Sequence, residues 1–315
     1  MSESPALLAL DWGTSSLRAY LLAAGERPRT LDARSAAWGI MNLPEGGYPQ
    51  ALAQLCGDWL ERHPRLPLLA AGMVGSAQGW REAPYVSCPA GAGQLAAGLV
   101  EVPDARLRIV PGVLQAGGLP NVMRGEETQI VGALALEDRR EGLYVLPGTH
   151  SKWAQVEDAA IQNFATFMTG ELFAVLRKHT ILGRLMDAGA PPPGDDAGFR
   201  RGVEVALHGG HGGLPAVLFT VRTLGLTRQL DAAQLPDYLS GLLIGAELAG
   251  ALELFGEAVR RQPLTLIGDP RLCARYQAAL SQAGFAPART LEQATEAGLW
   301  QIARAAGLLG PAGAA

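Results

Sequence analysis

Short apolar runs alternate with amphipathic segments along most of the chain. Residues 7–10 and 16–22 are apolar runs on either side of an Asp-Trp-Gly-Thr turn, a pattern that predicts two strands joined as a hairpin. The apolar residues in 48–61 are spaced for one face of a helix, and 68–74 has the pattern of a buried strand. This alternation of strands and helices predicts an α/β fold with mixed sheets.

The second half of the chain continues the same alternation. Strands are predicted at 143–146, 151–156, 161–168 and 264–267, and helices at 123–136, 172–186, 239–255 and 292–306. A charged, Gly-terminated segment at 137–142 interrupts the apolar pattern. We therefore expect an N-terminal lobe of residues 1–138 and a C-terminal lobe of residues 139–315.

Two turns of similar sequence follow apolar strands, one in each predicted lobe. The first reads Gly-Thr-Ser-Ser at 13–16, and the second reads Gly-Thr-His-Ser at 148–151. Backbone N–H groups of such tight turns converge and bind anions, although either turn alone could be an ordinary polar turn. Together they predict a phosphate clamp for a nucleotide, formed by Gly13, Thr14, Ser15, Gly148 and Thr149.

Charged residues stand next to both turns. Asp11 ends the strand before the first turn, where a hard carboxylate oxygen suits Mg²⁺ bound to nucleotide phosphates; the alternative is that it only caps the turn. Lys152 follows the second turn and is a candidate cation for the β- or γ-phosphate, or else a solvated lysine at a strand edge.

Composition narrows the class of protein. The chain has 315 residues, enough for two domains, and its 48% hydrophobic and 18% charged residues are typical of globular proteins. A net charge of −4 provides no basic stripe for nucleic acid. Three scattered cysteines form no disulfide framework, and neither a signal peptide nor an 18-residue apolar run is apparent. We expect a cytoplasmic protein without a membrane partner.

Six further sequence blocks belong together, and they lie at 10–18, 71–80 with 83–85, 121–129, 147–153, 167–171 and 240–247. In combination they resemble the 2-dehydro-3-deoxygalactonokinase family of the actin-like sugar kinases. The first block alone indicates only the superfamily. In combination the blocks span nearly the whole chain.

The resemblance implies a fold and an activity. The fold would have two actin-like, ribonuclease H-like lobes, each a mixed sheet flanked by helices, with a nucleotide cleft between them. The activity would be transfer of the γ-phosphate of ATP, with Mg²⁺, to the 6-hydroxyl of 2-dehydro-3-deoxy-D-galactonate in galactonate breakdown. The adenosine site would lie at Gly268, where this chain has one glycine and many relatives have two.

The resemblance also suggests a catalytic base. Related sugar kinases carry Gly-Asp at a helix start before the second turn, and Gly125-Glu126 is similar here. We expect Glu126 to accept the proton of the attacking hydroxyl, with the adjacent Glu127 and Asp11 as alternatives. A helix first-turn acid favoured by the macrodipole is the purely structural explanation.

A sugar acid requires cations and a shaped pocket. Arg124 and Arg18 are candidate clamps for its carboxylate. A sugar pocket is expected after the strand predicted at 68–74. The chain there carries Gly75, Ser76 and Trp80, and Tyr85 is a candidate for the wall of the pocket. Trp80 has an alternative explanation as a plain core residue, because aromatic side chains bury well without a ligand.

Other functions stay open from sequence alone. A kinase of the same fold could act on another sugar acid or polyol, and a regulatory, nucleotide-sensing ATPase would need no small acceptor. A noncatalytic interaction module would need an exposed recognition surface that the sequence does not display. The His-Gly-rich segment at 207–213 lacks nearby acidic or Cys ligands and predicts a surface loop rather than a metal pair. The sequence is compatible with assembly into a homodimer.

Overall fold

The computed structural model describes residues 4–23, 25, 27–186, 196–209, 212–292 and 294–309. Its strands are β1 (Pro5–Trp12), β2 (Leu17–Ala23), β3 (Arg29–Ala36), β4 (Leu68–Ala71), β5 (Val86–Ser87), β6 (Ala90–Gly91), β7 (Val100–Val102), β8 (Leu107–Ile109), β9 (Val113–Gln115), β10 (Asn121–Met123), β11 (Gly142–Leu146), β12 (Ser151–Glu157), β13 (Ala160–Phe167), β14 (Leu264–Ile267) and β15 (Arg289–Leu291). Its α-helices are α1 (Gly47–Arg62), α2 (Ala92–Ala97), α3 (Glu126–Glu137), α4 (Thr169–His179), α5 (Ala197–Glu204), α6 (Leu214–Leu218), α7 (Thr220–Leu226), α8 (Leu235–Phe255), α9 (Pro270–Gln282) and α10 (Ala294–Ala305).

The chain divides into two compact units. The first consists of Met1–Glu141, Gln155–Phe164 and Gln293–Ala315, and the second of Gly142–Ala154 and Ala165–Glu292. Helix α10 therefore belongs with the first unit, where it packs on α3. The functional division of the chain after residue 138 stays a prediction.

The first unit is built on a mixed sheet with the strand order β3-β2-β1-β4-β8-β7. Strands β1 and β2 form the predicted antiparallel hairpin, and β1 pairs with β4 in parallel. Helix α1 buries Leu55, Cys56 and Trp59 against this sheet, because these residues share the apolar face that the sequence predicts. The sheet holds the first turn at its β1–β2 corner.

The second unit contains a sheet in which β15, β14, β11 and the first half of β12 are successive neighbours. Strands β11, β14 and β15 are parallel. Trp153, Phe199 and Tyr276 are buried in the core between this sheet and helices α5, α8 and α9. The second turn follows β11 at the carboxyl end of its parallel strands, the edge where α/β sheets place ligand-binding loops.

Two predicted elements have different ends because glycines adopt left-handed backbones. Strand β4 ends at Ala71, not at residue 74, because Gly72 has φ 95° and a 3₁₀ turn follows at Met73–Gly75. Helix α3 begins at Glu126, not at residue 123, because Gly125 has φ 106° and the preceding residues form β10.

The helix predicted at 172–186 is also divided. Helix α4 begins earlier, at Thr169, and ends at His179. Thr180 has an extended backbone and its hydroxyl accepts a hydrogen bond from the N–H of Leu182, which starts a separate 3₁₀ segment. An N-cap of this kind begins a new helical segment instead of extending the old one.

Helix α8 is long and apolar enough to cross a membrane by length and composition, but 61% of its apolar window is buried inside the protein. The first half of the His-Gly-rich segment adopts a π-helix at Val205–Gly209 instead of the predicted loop, while residues 210 and 211 lie outside the described residues. Within the described residues there is no group of three or more His, Cys, Asp or Glu that could hold a metal ion.

Candidate functional site

The first turn is closed and supported from one side. The Gly13 N–H donates to the Ser16 carbonyl at 2.9 Å, and the Ile40 N–H donates to the Gly13 carbonyl at 3.1 Å. Gly39 approaches so closely that a Cβ there would lie 2.2 Å from the Thr14 oxygen. Thr14 and Ser15 are exposed. In the described part of the chain no backbone carbonyl accepts a hydrogen bond from their N–H groups; anion binding by this turn stays a prediction.

Asp11 lies near the end of β1, beside this turn. Its partners across the sheet are Arg18 on β2 and Ala71 on β4. The Arg18 Nη1 lies 3.7 Å from the Asp11 Oδ2. Burial raises the pKa of Asp11 above its ordinary value, and the charge of Arg18 opposes that rise. Arg18 is therefore a partner of the Asp11 carboxylate, with 57% of its side chain still exposed.

Two glycines bring the start of α3 against the strand end that carries Asp11. A Cβ on Gly72 would lie 2.8 Å from the Trp12 carbonyl oxygen and 3.7 Å from the Asp11 Oδ1. A Cβ on Gly125 would lie 3.4 Å from the Gly72 Cα. Both glycines have positive φ, so the chain uses residues without Cβ where it makes this close approach.

The first turn of α3 carries two adjacent carboxylates in different environments. The partly buried Glu126 accepts a hydrogen bond from the Arg124 N–H at 3.0 Å. The fully buried Glu127 accepts from the Gly125 N–H at 2.7 Å and from the Thr128 hydroxyl at 3.0 Å. Burial, and next the charge of Glu126, raise the pKa of Glu127 to about 7. Glu127 thus faces the protein interior, and Glu126 has the more open side chain.

Arg124 lies among the residues predicted to bind the acceptor. Its Nη2 donates to the Ala83 carbonyl at 2.7 Å, and its guanidinium carbon lies 4.5 Å from the centre of the Tyr85 ring. A Cβ on Gly75 would lie 2.9 Å from its Nη1. The Arg124 Nε and Nη1 and the Ser76 Oγ are buried and have no hydrogen-bond partner within the described residues. The structure therefore brings Gly75, Tyr85 and Arg124 together.

Trp80 belongs to an aromatic cluster. Its ring is stacked on Tyr48, with centroids 5.5 Å apart and an interplanar angle of 12°. It also meets the edge of Trp12 at 5.9 Å. Because Trp80 packs on the core of the first unit, its contacts account for its position without a ligand. A role for Trp80 against the acceptor stays a prediction.

The second turn borders a cavity of about 600 Å³ that lies entirely in the second unit. The cavity is lined by Pro147, Gly148, Thr149, Thr169, Gly170, Phe173, Arg177, Pro236, Asp237, Ser240, Leu243, Ile244, Asp269, Leu272, Arg275 and Tyr276. Gly170 holds the turn closely, since a Cβ there would lie 2.5 Å from the Gly148 oxygen. The Glu171 N–H donates to the Thr149 carbonyl at 3.0 Å.

Gly268 lies beside the same turn. It has φ 154°, and a Cβ on it would lie 3.4 Å from the Pro147 oxygen. Asp269 follows and caps α9 by accepting hydrogen bonds from the N–H groups of Arg271 and Leu272, both at 3.0 Å. An Asp N-cap thus follows the single glycine and lines the cavity.

Lys152 is tied to the second turn. Only 4% of its surface is exposed, and its Nζ donates to the His150 carbonyl at 3.1 Å. The His150 Nε2 lies 2.5 Å from a carboxylate oxygen of Glu171. Contact between Lys152 and a nucleotide phosphate stays a prediction.

Sequence reasoning missed several polar residues of the second unit. The Arg275 Nη1 lies 2.7 Å from the Asp237 Oδ1 at the cavity wall. Glu247, in the block at 240–247, is 2% exposed and accepts hydrogen bonds from Thr169, Tyr276 and Trp153. The available signal was a single acidic residue in the middle of the otherwise uncharged run 238–252, because a buried charge requires partners.

Comparison with known proteins connects both units to one family. The model of the family described as 2-keto-3-deoxy-galactonokinase matches residues 11–302. The 2-dehydro-3-deoxygalactonokinase of Escherichia coli is 38% identical over 304 residues, covering 95% of this chain and 97% of that protein. A Rhizobium meliloti protein assigned the same activity is 37% identical over 306 residues, covering 94% and 96%.

Solved structures agree on the fold. A crystal structure assigned as a 2-dehydro-3-deoxygalactonokinase from Sinorhizobium meliloti matches with a TM-score of 0.85 and 36% identity, over 95% of this chain and 98% of that one. The activator of 2-hydroxyisocaproyl-CoA dehydratase from Clostridium difficile matches with a TM-score of 0.52 at 12% identity, which concerns the fold alone. The prediction of an α/β, actin-like fold with two sheet-containing lobes is confirmed. This chain belongs to the 2-keto-3-deoxy-galactonokinase family.

Proposed function

We propose that this protein transfers the γ-phosphoryl group of ATP to the 6-hydroxyl of 2-dehydro-3-deoxy-D-galactonate in galactonate breakdown. Family membership and the names of its relatives support the choice of acceptor. One observation carries the catalytic assignment: Gly125 contacts Gly72, which lies against Asp11, so a helix start with two carboxylates meets the strand end beside the first turn. Metal-binding and base carboxylates need this proximity to act on one phosphoryl group.

The nucleotide-binding assignment rests on features of each unit. In the second unit, the cavity of about 600 Å³ beside Gly148, Thr149 and Gly268 has a size typical of ligand pockets and combines apolar walls with a few polar groups. In the first unit, no backbone carbonyl of the described residues accepts a hydrogen bond from the N–H groups of Thr14 and Ser15. Adenosine would occupy the cavity, and the turns would bind phosphate oxygens.

Asp11 is the residue that would hold Mg²⁺. Its carboxylate is 24% exposed and has only a 3.7 Å ion pair with Arg18 in the described part of the chain. Mg²⁺ binds through one or two carboxylates and takes its other ligands from water and phosphate, so a single aspartate fits. When bound, the ion would neutralise charge on the phosphates during transfer.

Glu126 is the candidate general base. It is partly exposed at the start of α3, whereas Glu127 is fully buried and bonded to Gly125 and Thr128. A base must reach the hydroxyl whose proton it accepts, which favours Glu126. Positioning of the two substrates contributes more to the rate than this proton transfer.

The acceptor would bind in the first unit near Arg124. Arg124 has buried donors without partners beside Gly75, and Arg18 already engages Asp11. Arg124 therefore suits the acceptor carboxylate better than Arg18. Tyr85 contacts the Arg124 guanidinium, and Ser76 is the residue after Gly75. Trp80 would stabilise the acceptor-binding region through its ring contacts with Trp12 and Tyr48.

We also propose a cytoplasmic location, which is supported by three free cysteines. The proposed partners are the two small-molecule substrates, with neither nucleic acid nor membrane among them. Assembly into a homodimer would be compatible with this function.

A coupled assay of ADP release tests the function. Purified protein is supplied with ATP, Mg²⁺ and a panel of sugar acids and polyols that includes the gluco epimer. We expect ADP release only with 2-dehydro-3-deoxygalactonate, and NMR of the product should place the phosphate on O6. A higher kcat/KM with another acceptor would contradict the substrate. ADP release independent of any acceptor would instead support a regulatory ATPase.

A further inference from the structure

Glu247 is a buried acid at the centre of a hydrogen-bond network in the second unit. It lies on α8 and is 2% exposed. Its Oε1 accepts from the Trp153 Nε1 at 2.7 Å, and its Oε2 accepts from the Tyr276 hydroxyl at 2.6 Å and from the Thr169 hydroxyl. Burial raises the pKa of Glu247 and these hydrogen bonds oppose that rise, while no Lys or Arg charge acts on it within the described residues. Three donors thus converge on a carboxylate with no cation beside it.

The donors impose one direction on the network. The Trp153 indole can only donate, and the Tyr276 hydroxyl has one proton, which it gives to Glu247. The Tyr276 oxygen must therefore accept the proton of the Ser151 hydroxyl, 2.8 Å away. The Ser151 oxygen is then left to accept from the Gly148 N–H at 3.4 Å. A chain of donors runs from the second turn to the Glu247 carboxylate.

This chain connects Glu247 to the cavity without Glu247 lining it. Thr169, Tyr276 and Gly148 all line the cavity. Glu247 lies behind them, about one helical turn after the cavity residues Leu243 and Ile244 on the same helix. Its carboxylate can therefore act on a bound nucleotide only through the residues that it orders.

We infer that Glu247 is a positioning residue for nucleotide phosphates: by accepting from Tyr276 it orients Ser151 to fix the Gly148 N–H of the second turn. This inference rests on the proposed kinase function and adds to it a residue that touches neither substrate. Hydrogen bonds in such a buried chain polarise one another, and a buried acid whose partners are satisfied holds them in one arrangement.

The variant Glu247→Gln tests this role with almost no change in volume. The amide can still accept from Trp153, but its NH₂ now donates where the carboxylate accepted from Tyr276 and Thr169. The Tyr276 proton is then directed to Ser151, so the Ser151 hydroxyl loses Tyr276 as its acceptor and no longer has one fixed orientation toward the Gly148 N–H. We expect KM for ATP to rise about tenfold, the effect of losing roughly one hydrogen bond to a charged group. The KM for the acceptor should stay unchanged.

A pair of tyrosine variants provides a matched control. Tyr276→Phe removes the link between Glu247 and Ser151. Tyr238→Phe removes a hydroxyl that is equally buried, but bonded at 2.7 Å to Thr220, outside the chain to the turn. Both should lower the melting temperature. Only Tyr276→Phe should raise KM for ATP, which decides the question even if Glu247→Gln does not fold.

The outcomes separate the two proposals. If wild-type protein shows no acceptor-dependent ADP release, the proposed function fails. If wild-type protein is active while Glu247→Gln and Tyr276→Phe lose only thermal stability, Glu247 is a structural residue and this inference is overturned. A rise in KM for ATP in Tyr238→Phe equal to that in Tyr276→Phe would overturn it as well.

Discussion

Gly125 and Gly72 lie against each other, and each has a left-handed backbone. A Cβ on Gly125 would be 3.4 Å from the Gly72 Cα, while a Cβ on Gly72 would be 2.8 Å from the Trp12 oxygen. The contact joins the end of β4 to the start of α3. It fixes where Glu126 stands relative to Asp11.

Replacing Gly72 should therefore lower the free energy of unfolding more than replacing a glycine that also has positive φ but has no neighbouring atoms where a Cβ would lie. Gly47 also has positive φ, yet a Cβ on it would meet nothing within 4 Å. We expect Gly47→Ala to lower the free energy of unfolding by about 1 kcal/mol through backbone strain alone. Gly72→Ala should lower it by roughly 3 kcal/mol, because overpacking is added. Urea unfolding measures both, and equal losses would contradict the close approach.

Asp11→Asn should reduce turnover much more than nucleotide affinity. The amide keeps the shape of the side chain but removes the charge proposed to hold Mg²⁺. We expect kcat to fall about 100-fold, the usual cost of removing one group that stabilises charge in transfer, while calorimetry shows little loss of ATP affinity. Asp32→Asn is the control, since Asp32 lies on β3 of the same sheet and is half exposed. A kcat near the wild-type value in Asp11→Asn would rule out the metal assignment.

Glu126→Gln and Glu127→Gln should separate the two neighbouring acids. If Glu126 accepts the proton, its replacement should lower kcat about 100-fold with little change in KM for ATP. Glu127 is buried, so its replacement should change kcat far less. Steady-state kinetics at a single pH measures kcat and KM for ATP of both variants. Wild-type turnover in Glu126→Gln would overturn its assignment as the base, and wild-type turnover in both variants would leave Asp11 as the base.

Glu127 should also make stability depend on pH. Its pKa in the folded protein is about 7, against an ordinary value of 4.5, so the folded state binds the proton more tightly than the unfolded state does. The protein should therefore lose stability as the pH rises from about 4.5 to about 7. Glu127→Gln should remove that loss, with a gain over wild type of roughly 3 kcal/mol at pH 8 and almost none at pH 4. Chemical unfolding at both pH values measures it, and a gain that does not depend on pH would contradict the prediction.

Filling the cavity of the second unit with a larger side chain should weaken the binding of ATP and leave the binding of the acceptor unchanged. Ser240 lines it from α8, so Ser240→Trp should raise KM for ATP at least tenfold and leave KM for the acceptor unchanged. Ser281→Trp, on an exposed position of α9, is the matched control. Equal kinetics for the two variants would place ATP elsewhere.

The hairpins and most core elements could be predicted from the sequence because they depend on local patterns. The runs before both Gly-Thr turns are short and continuously apolar, as buried strands are. Helix α1 has one apolar face, and α8 is apolar along most of its length. Element ends were less predictable where a glycine changed the backbone. Gly125 lies between β10 and α3 and precedes the first residue of the helix, but glycine in a sequence does not reveal its φ.

The Glu247 network could not be predicted, because its members are far apart in sequence. Glu247 is 94 residues from Trp153 and 78 residues from Thr169. No periodic pattern links such positions. The resemblance to a family marked the segments that contain them, but only the packing of α8 on β12 and α9 shows that their side chains meet.

The packing of α10 on α3 has a consequence for biosynthesis. The two helices approach at Gly132 and Gly298, where a Cβ would lie 1.8 Å from the Ala294 and Thr128 carbonyl oxygens respectively. The ribosome synthesises α10 only after all of the second unit. The face of α3 that α10 covers in the folded protein therefore stays exposed until then. The second unit can complete its own core first, and we expect the start of α3, with Glu126 and Glu127, to become fixed only after α10 has been made.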